Sequence, residues 1–192
     1  MRLYDLVKFL HILTAVFMAA PLYNLVAVNE RARFGKAHLQ VDQYLENLIR
    51  GNSLRCYVYQ GTVFVTGVLL VALRGSLTSL YVNPILLTKF LLLLTLTAFL
   101  SVVHFSVQPR IDASLAQAAG DAIPPAVAAV IGPLRIRRKR LAAICLFLVV
   151  TAVLLGLQVY ARFATSLTAV LIAAVALFAW RVYRTRIPYG WV

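Results

Sequence analysis

Residues 84–107 read PILLTKFLLLLTLTAFLSVVHFSV, and the only formal charge in this run is Lys89. About 20 helical residues cross the roughly 30 Å hydrocarbon layer of a bilayer. A helix also satisfies its own backbone hydrogen bonds where no water is present. Four further apolar runs of comparable length occupy residues 6–28, 56–73, 141–160 and 163–182. The sequence therefore predicts an all-α, polytopic transmembrane bundle of about five helices that forms one domain over residues 1–192.

The composition favours lipid as the surrounding solvent. The chain is 62% hydrophobic and 13% charged, whereas soluble domains are about 45–50% apolar and about 25% charged. A single soluble core of this size cannot bury so much apolar surface. The net charge of +13 does not indicate nucleic-acid binding, because the basic residues lie between the apolar runs and form no binding face.

The basic residues also predict an orientation. Fourteen fall on one side of a five-span chain, and three fall on the other. The fourteen are Arg31, Arg33, Lys36, Arg50, Arg55, Arg110, Arg135, Arg137, Arg138, Lys139, Arg140, Arg181, Arg184 and Arg186, and the three are Arg2, Arg74 and Arg162. Since positive charge accumulates on the cytoplasmic side, we expect a bacterial-type inner membrane protein with its N-terminus outside and its C-terminus in the cytoplasm.

The connection before the second run contains an amphipathic segment, HLQVDQYLENLIR, at residues 38–50. Its apolar residues recur at helical spacing and are Val41, Tyr44, Leu45 and Leu48. This stripe predicts a short helix that lies on the membrane surface or caps the bundle. Asp42 and Glu46 are expected to point away from it.

The connection at residues 109–140 is rich in alanine and contains Pro124-Pro125 and Gly132-Pro133. Proline and glycine punctuate helices, so short helical pieces broken at these positions are expected. The basic run Arg135–Arg140 has two interpretations. It is a plain orientation signal, which we favour, or a site for anionic lipid headgroups.

Ionisable side chains inside apolar runs are the default candidates for function. His11 and Lys89 each lie about five residues from the outer end of their span, so both are expected in the outer-leaflet half. His104 lies 15 residues beyond Lys89, roughly 22 Å deeper. His11 and His104 therefore should not ligate one haem from opposite faces.

Lys89 has no acidic residue deep in any predicted span to pair with. Its amine can reach the outer interface, lose its proton, or meet an anionic partner that the chain does not encode, such as a propionate, a substrate carboxylate or a lipid phosphate. His11 has two interpretations, a hydrogen bond to a neighbouring helix or ligation of a metal or haem. For His104 a structural role is favoured.

The segment Lys8-Phe9-Leu10-His11-Ile12 resembles the opening of the HemJ-type protoporphyrinogen oxidases and of their relatives in the copper-resistance-D membrane superfamily. The segment Leu87-Thr88-Lys89-Phe90-Leu91-Leu92, followed by His104, resembles the lysine-containing helix of that family. The resemblance implies that His11 is a haem b ligand and that Lys89 is a required residue.

Three classes of function remain after these observations. The leading hypothesis is a membrane protein that binds haem b with His11 as an axial ligand (His104 is the alternative) and pairs Lys89 with a carboxylate in redox work. Whether it is an enzyme stays open. The first alternative is a non-catalytic subunit that packs against other membrane subunits or its own copies. The second is a transporter or copper-handling protein, which the presence of only two Met and two Cys disfavours.

Overall fold

A computed structural model describes residues 3–31, 38–118, 120–161 and 164–184. Every element in these ranges is helical. The helices are α1 Leu3–Phe17, α2 Ala19–Arg31, α3 Leu39–Arg74, α4 Ser79–Val82, α5 Pro84–Val102, a π-helical turn Val103–Val107, α6 Gln108–Leu115, α7 Pro125–Ala161 and α8 Thr165–Arg184.

Five helical stretches are long and apolar enough to cross a membrane, which confirms the predicted all-α bundle. They are Leu3–Val28, Leu39–Arg74, Pro84–Leu115, Pro125–Val159 and Thr165–Arg184. Some residues used in the sequence argument lie outside the described ranges, namely Arg2, Arg33, Lys36, Arg162, Phe163 and Arg186.

The helix of the first span is interrupted at Met18, between α1 and α2. The amide of Met18 still donates to the carbonyl of Thr14 at 2.9 Å. Pro21 follows in the first turn of α2, where it lacks the amide that would bond to the Phe17 carbonyl and its ring crowds that oxygen. The break between the two helices therefore has a proline as its cause.

Helix α3 is continuous over 36 residues, or about 54 Å. The prediction of a separate surface helix at 38–50 was therefore wrong. Its apolar stripe also points outward, since Tyr44 is 69% exposed whereas Asp42 and Glu46 are buried. In a bilayer the apolar face of a helix can contact lipid, and the polar face then points into the bundle.

Helix α7 is also continuous, over 37 residues, with Pro133 inside it. The expected break at Gly132-Pro133 was therefore wrong, although Pro125 does begin the helix. Helix α6 is not a separate piece either, because it continues the third span through the π-helical turn to Leu115. Pro133 removes one backbone hydrogen bond. Tertiary contacts hold the helix together, because α7 packs against α1, α2, α5, α6 and α8.

The outside of the bundle is apolar. Phe9, Leu54, Phe105 and Leu177 are each at least 60% exposed. Such side chains suit contact with acyl chains rather than water. Cys56 and Cys145 are both buried and have free thiols.

Contacts between helices identify two ends of the bundle. His11, in the middle of α1, hydrogen-bonds to Thr66, which lies in the last third of α3. Glu46, near the start of α3, forms an ion pair with Arg138 in the first half of α7. We call the end that holds His11 the cavity end and the end that holds Glu46 the ion-pair end.

Candidate functional site

A cavity of about 430 Å³ lies between α1, α3, α5 and α7 at the cavity end. Its walls are mostly apolar, and its size is within the range of small-molecule sites. The polar and ionisable side chains that line it are Tyr4, Lys8, His11, Arg74, Ser79 and Lys89. The structure thus brings His11 and Lys89 to one cavity.

Thr66 holds the imidazole of His11. The Thr66 hydroxyl oxygen lies 2.9 Å from His11 Nδ1, and the hydroxyl hydrogen is donated to the carbonyl of Thr62 at 2.6 Å. With its hydrogen donated to Thr62, the Thr66 oxygen can accept a hydrogen bond from His11 Nδ1–H, and in the neutral tautomer that has this donor Nε2 is the nitrogen able to bind a metal. Metal-ligating histidines have this arrangement, because the bond at one ring nitrogen orients the other.

Two glycines give the ionisable side chains room against neighbouring helices. A Cβ at Gly67 would lie 3.2 Å from His11 Cε1, so the ring rests on the backbone of α3. A Cβ at Gly156 would lie 3.2 Å from Lys89 Nζ. The amine therefore reaches across the cavity to α7. No motif in the sequence marks Thr66 or Gly67, and only the contact between helices shows that they lie against His11.

The cavity has an excess of positive charge. Lys8, Arg74 and Lys89 all line it, and none of its described lining residues is Asp or Glu. Lys8 precedes His11 by three residues and so shares its helical face. Arg74 was not predicted, because it ends α3, far from His11 and Lys89 in the sequence. The lining suits a ligand with an apolar body and one or more anionic groups.

His104 lies elsewhere. It belongs to the π-helical turn Val103–Val107 and is not among the residues that line the cavity. Its ring makes edge contacts with Tyr57, at 5.6 Å between centroids, and with Phe105, at 4.8 Å. The geometry keeps His104 apart from His11, as the depth argument requires.

The ion-pair end holds a buried network that sequence reasoning missed. Arg138 donates to both carboxylate oxygens of Glu46, and Arg135 bridges Glu46 and Asp42 at 2.9 and 2.8 Å. Gln108 joins in, donating to Glu46 at 3.0 Å and accepting from Arg138 at 2.7 Å. Glu46 is 2% exposed and Arg138 fully buried. The network ties α3 and α7 to α6.

A signal for this network is present in the sequence. Asp42 and Glu46 are four residues apart and Arg135 and Arg138 three apart, so each pair lies on one helical face. The basic run was interpreted as an orientation signal, and its partners lie about 90 residues away. Nothing local in the sequence indicates that pairing.

The available side chains limit which metal sites this protein could form. Among the described residues, no group of three or more His, Cys, Asp or Glu side chains is placed to hold a metal ion. A single imidazole suffices only when the other ligands come from a macrocycle, as in haem.

The fold and the cavity together define a multi-pass α-helical membrane protein with a basic, histidine-containing cavity between its spans. Comparisons with protein-family models, with curated proteins and with solved structures find no match.

Proposed function

We propose that this protein binds haem b in the cavity and takes part in redox chemistry, as the resemblance to HemJ-type proteins implies. The observation that carries the proposal is His11. Its Nδ1 lies 2.9 Å from the Thr66 hydroxyl oxygen, and its ring lines a basic cavity whose described lining residues include no carboxylate.

His11 would hold the iron through Nε2. The hydrogen bond with Thr66 would orient the ring before binding, so that the ligand loses little freedom when the bond to iron forms. Gly67 lets the ring lie against α3. This part of the site is preorganised by the protein alone.

Lys89 would bind a carboxylate, either a haem propionate or the carboxylate of a substrate. Its amine lies against Gly156 at the cavity wall, and Lys8 and Arg74 add positive charge. The apolar remainder of the lining excludes water and so strengthens each charge-assisted hydrogen bond. Bound haem would supply one-electron redox chemistry, and a porphyrin or a quinol is the class of partner we propose for it.

We further propose that the cavity end faces the outside of a bacterial cytoplasmic membrane and that the C-terminus is cytoplasmic. The support is the distribution of basic residues, fourteen against three. Reporter fusions at residues 75–78 and after residue 184 test this. The first should report the outside and the second the cytoplasm, and a reversed result would place the cavity in the other leaflet.

The absorption spectrum of the purified, haem-supplemented protein tests the main proposal. We expect a Soret band in the wild type, its loss in His11→Ala, and its retention in His104→Ala, which removes an imidazole outside the cavity. A colourless wild type would reject haem binding and favour the accessory-subunit alternative. Partners that co-purify in mild detergent would then be the next evidence to seek.

A further inference from the structure

The basic run at residues 135–140 divides into two faces. Arg135, Arg138 and Lys139 are buried, with at most 4% of their surface exposed. Arg137 and Arg140, three residues apart and hence on one helical face, line a groove instead. The buried side chains and the groove-lining side chains of this run therefore have different surroundings, and their roles are considered separately.

The groove lies between α7 and α8 and has a volume of about 570 Å³. Apolar side chains, including Ile136, Leu141 and Ile144, form most of its wall. Arg137, Arg140 and Tyr183 supply its polar part, and none of its described lining residues is Asp or Glu. The groove thus has two cationic side chains next to an apolar surface, and no acidic side chain in its described lining neutralises them.

Arg140 has an aromatic contact and one unsatisfied hydrogen-bond donor. Its guanidinium lies over the Tyr183 ring, 5.0 Å from the centroid. Its Nε is buried and has no hydrogen-bond partner among the described residues. A buried donor on a charged group is costly to leave unsatisfied.

We propose that this groove binds an anionic phospholipid. The headgroup phosphate accepts hydrogen bonds from Arg140 and Arg137, and an acyl chain lies along Ile136, Leu141 and Ile144. Arg184 stacks on Trp180 at 4.3 Å at the same end of α8, as expected where aromatic and basic residues meet the headgroup region. Basic pockets between transmembrane helices are known to hold such headgroups.

The test uses the full-length protein in nanodiscs of phosphatidylcholine to which phosphatidylglycerol is added, with native mass spectrometry counting the retained lipid. We expect phosphatidylglycerol to be retained over phosphatidylcholine. Each substitution, Arg137→Gln or Arg140→Gln, should weaken retention about fivefold, and the double variant about thirtyfold. Arg110→Gln removes an exposed charge from the same end of the bundle and should change retention less than twofold.

Three results would overturn the proposal. The first is equal retention of the two lipids by the wild type. The second is a loss in Arg110→Gln as large as that in Arg140→Gln, which would mean general charge attraction. The third is displacement of the lipid by low-millimolar glycerol phosphate, which would mean a simple anion site without a role for the apolar groove. Circular dichroism of the double variant checks that it is folded, and an unfolded double variant leaves the single variants to decide.

Discussion

The two ends of the bundle treat buried positive charge in opposite ways. At the ion-pair end, Arg135 and Arg138 meet the carboxylates of Asp42 and Glu46 within 3.1 Å. At the cavity end, Lys89 lines a cavity of about 430 Å³ whose described lining contains no carboxylate. The protein neutralises its charges where they hold helices together. It leaves them available where we propose that a ligand binds.

The largest effect is expected at the ion-pair end. Glu46→Gln removes the charge shared by Arg135 and Arg138 and leaves buried cations uncompensated, which should lower the free energy of unfolding by about 3–5 kcal/mol. The measurement is unfolding by SDS in mixed micelles. Arg50→Gln is the matched control, because it breaks the Arg50–Asp112 pair whose arginine is 53% exposed. It should cost about 0.2–1 kcal/mol, and equal losses in the two variants would contradict the distinction between buried and exposed pairs.

The second effect concerns the orientation of His11. Thr66→Val keeps the shape of the side chain but removes the acceptor of Nδ1–H. If His11 ligates haem, haem affinity should fall about 10–100-fold, the usual loss when such a partner is removed. Thr62→Val is the control, since the Thr62 hydroxyl donates to its own helix at the Val58 carbonyl. Titration of haem into the apoprotein, followed at the Soret band, measures both affinities. Unchanged affinity in Thr66→Val would show that the hydrogen bond between Thr66 and His11 has no role in haem binding.

Much of this comparison could be predicted from the sequence, and part of it could not. Hydropathy sets the spans, and a rise of 1.5 Å per residue then places His11 and Lys89 at one depth. The inward turn of Asp42 and Glu46 could not be predicted in the same way. An amphipathic stripe indicates a face, but not whether lipid or protein covers it. Arg138 and Thr66 contact partners on other helices, and such contacts can be identified only from the three-dimensional structure.

The third effect separates charge from shape at the cavity end. Lys89→Gln removes the amine that we propose meets a carboxylate, so the affinity for haem should fall about tenfold, as for a lost hydrogen bond to a charged group. Haem dimethyl ester, which lacks free propionates, should bind wild type and Lys89→Gln within about twofold of each other. A tenfold difference with the ester as well would mean that Lys89 acts on the fold of the cavity rather than on a carboxylate.

The smallest effect compares two glycines of α3 without any ligand. Nothing lies within 4 Å of a Cβ at Gly61, so Gly61→Ala should stabilise the helix by about 0.5–1 kcal/mol. A Cβ at Gly67 would lie 3.2 Å from His11 Cε1, so Gly67→Ala should lose this gain by pushing the ring aside. SDS unfolding of the apoprotein measures both. Equal stabilisation would mean that the ring is not seated on α3.

The most direct test of the claim that His11 binds the haem iron removes its imidazole side chain and supplies free imidazole from solution. His11→Gly should bind no haem when purified, and added imidazole should restore a Soret band with one haem per chain, because the small molecule can occupy the space of the missing ring. The control substitution His104→Gly should leave the absorption spectrum the same as that of the wild type. Haem that stays bound in His11→Gly without imidazole, or a wild type that binds none, would contradict the assignment of His11 as the iron ligand.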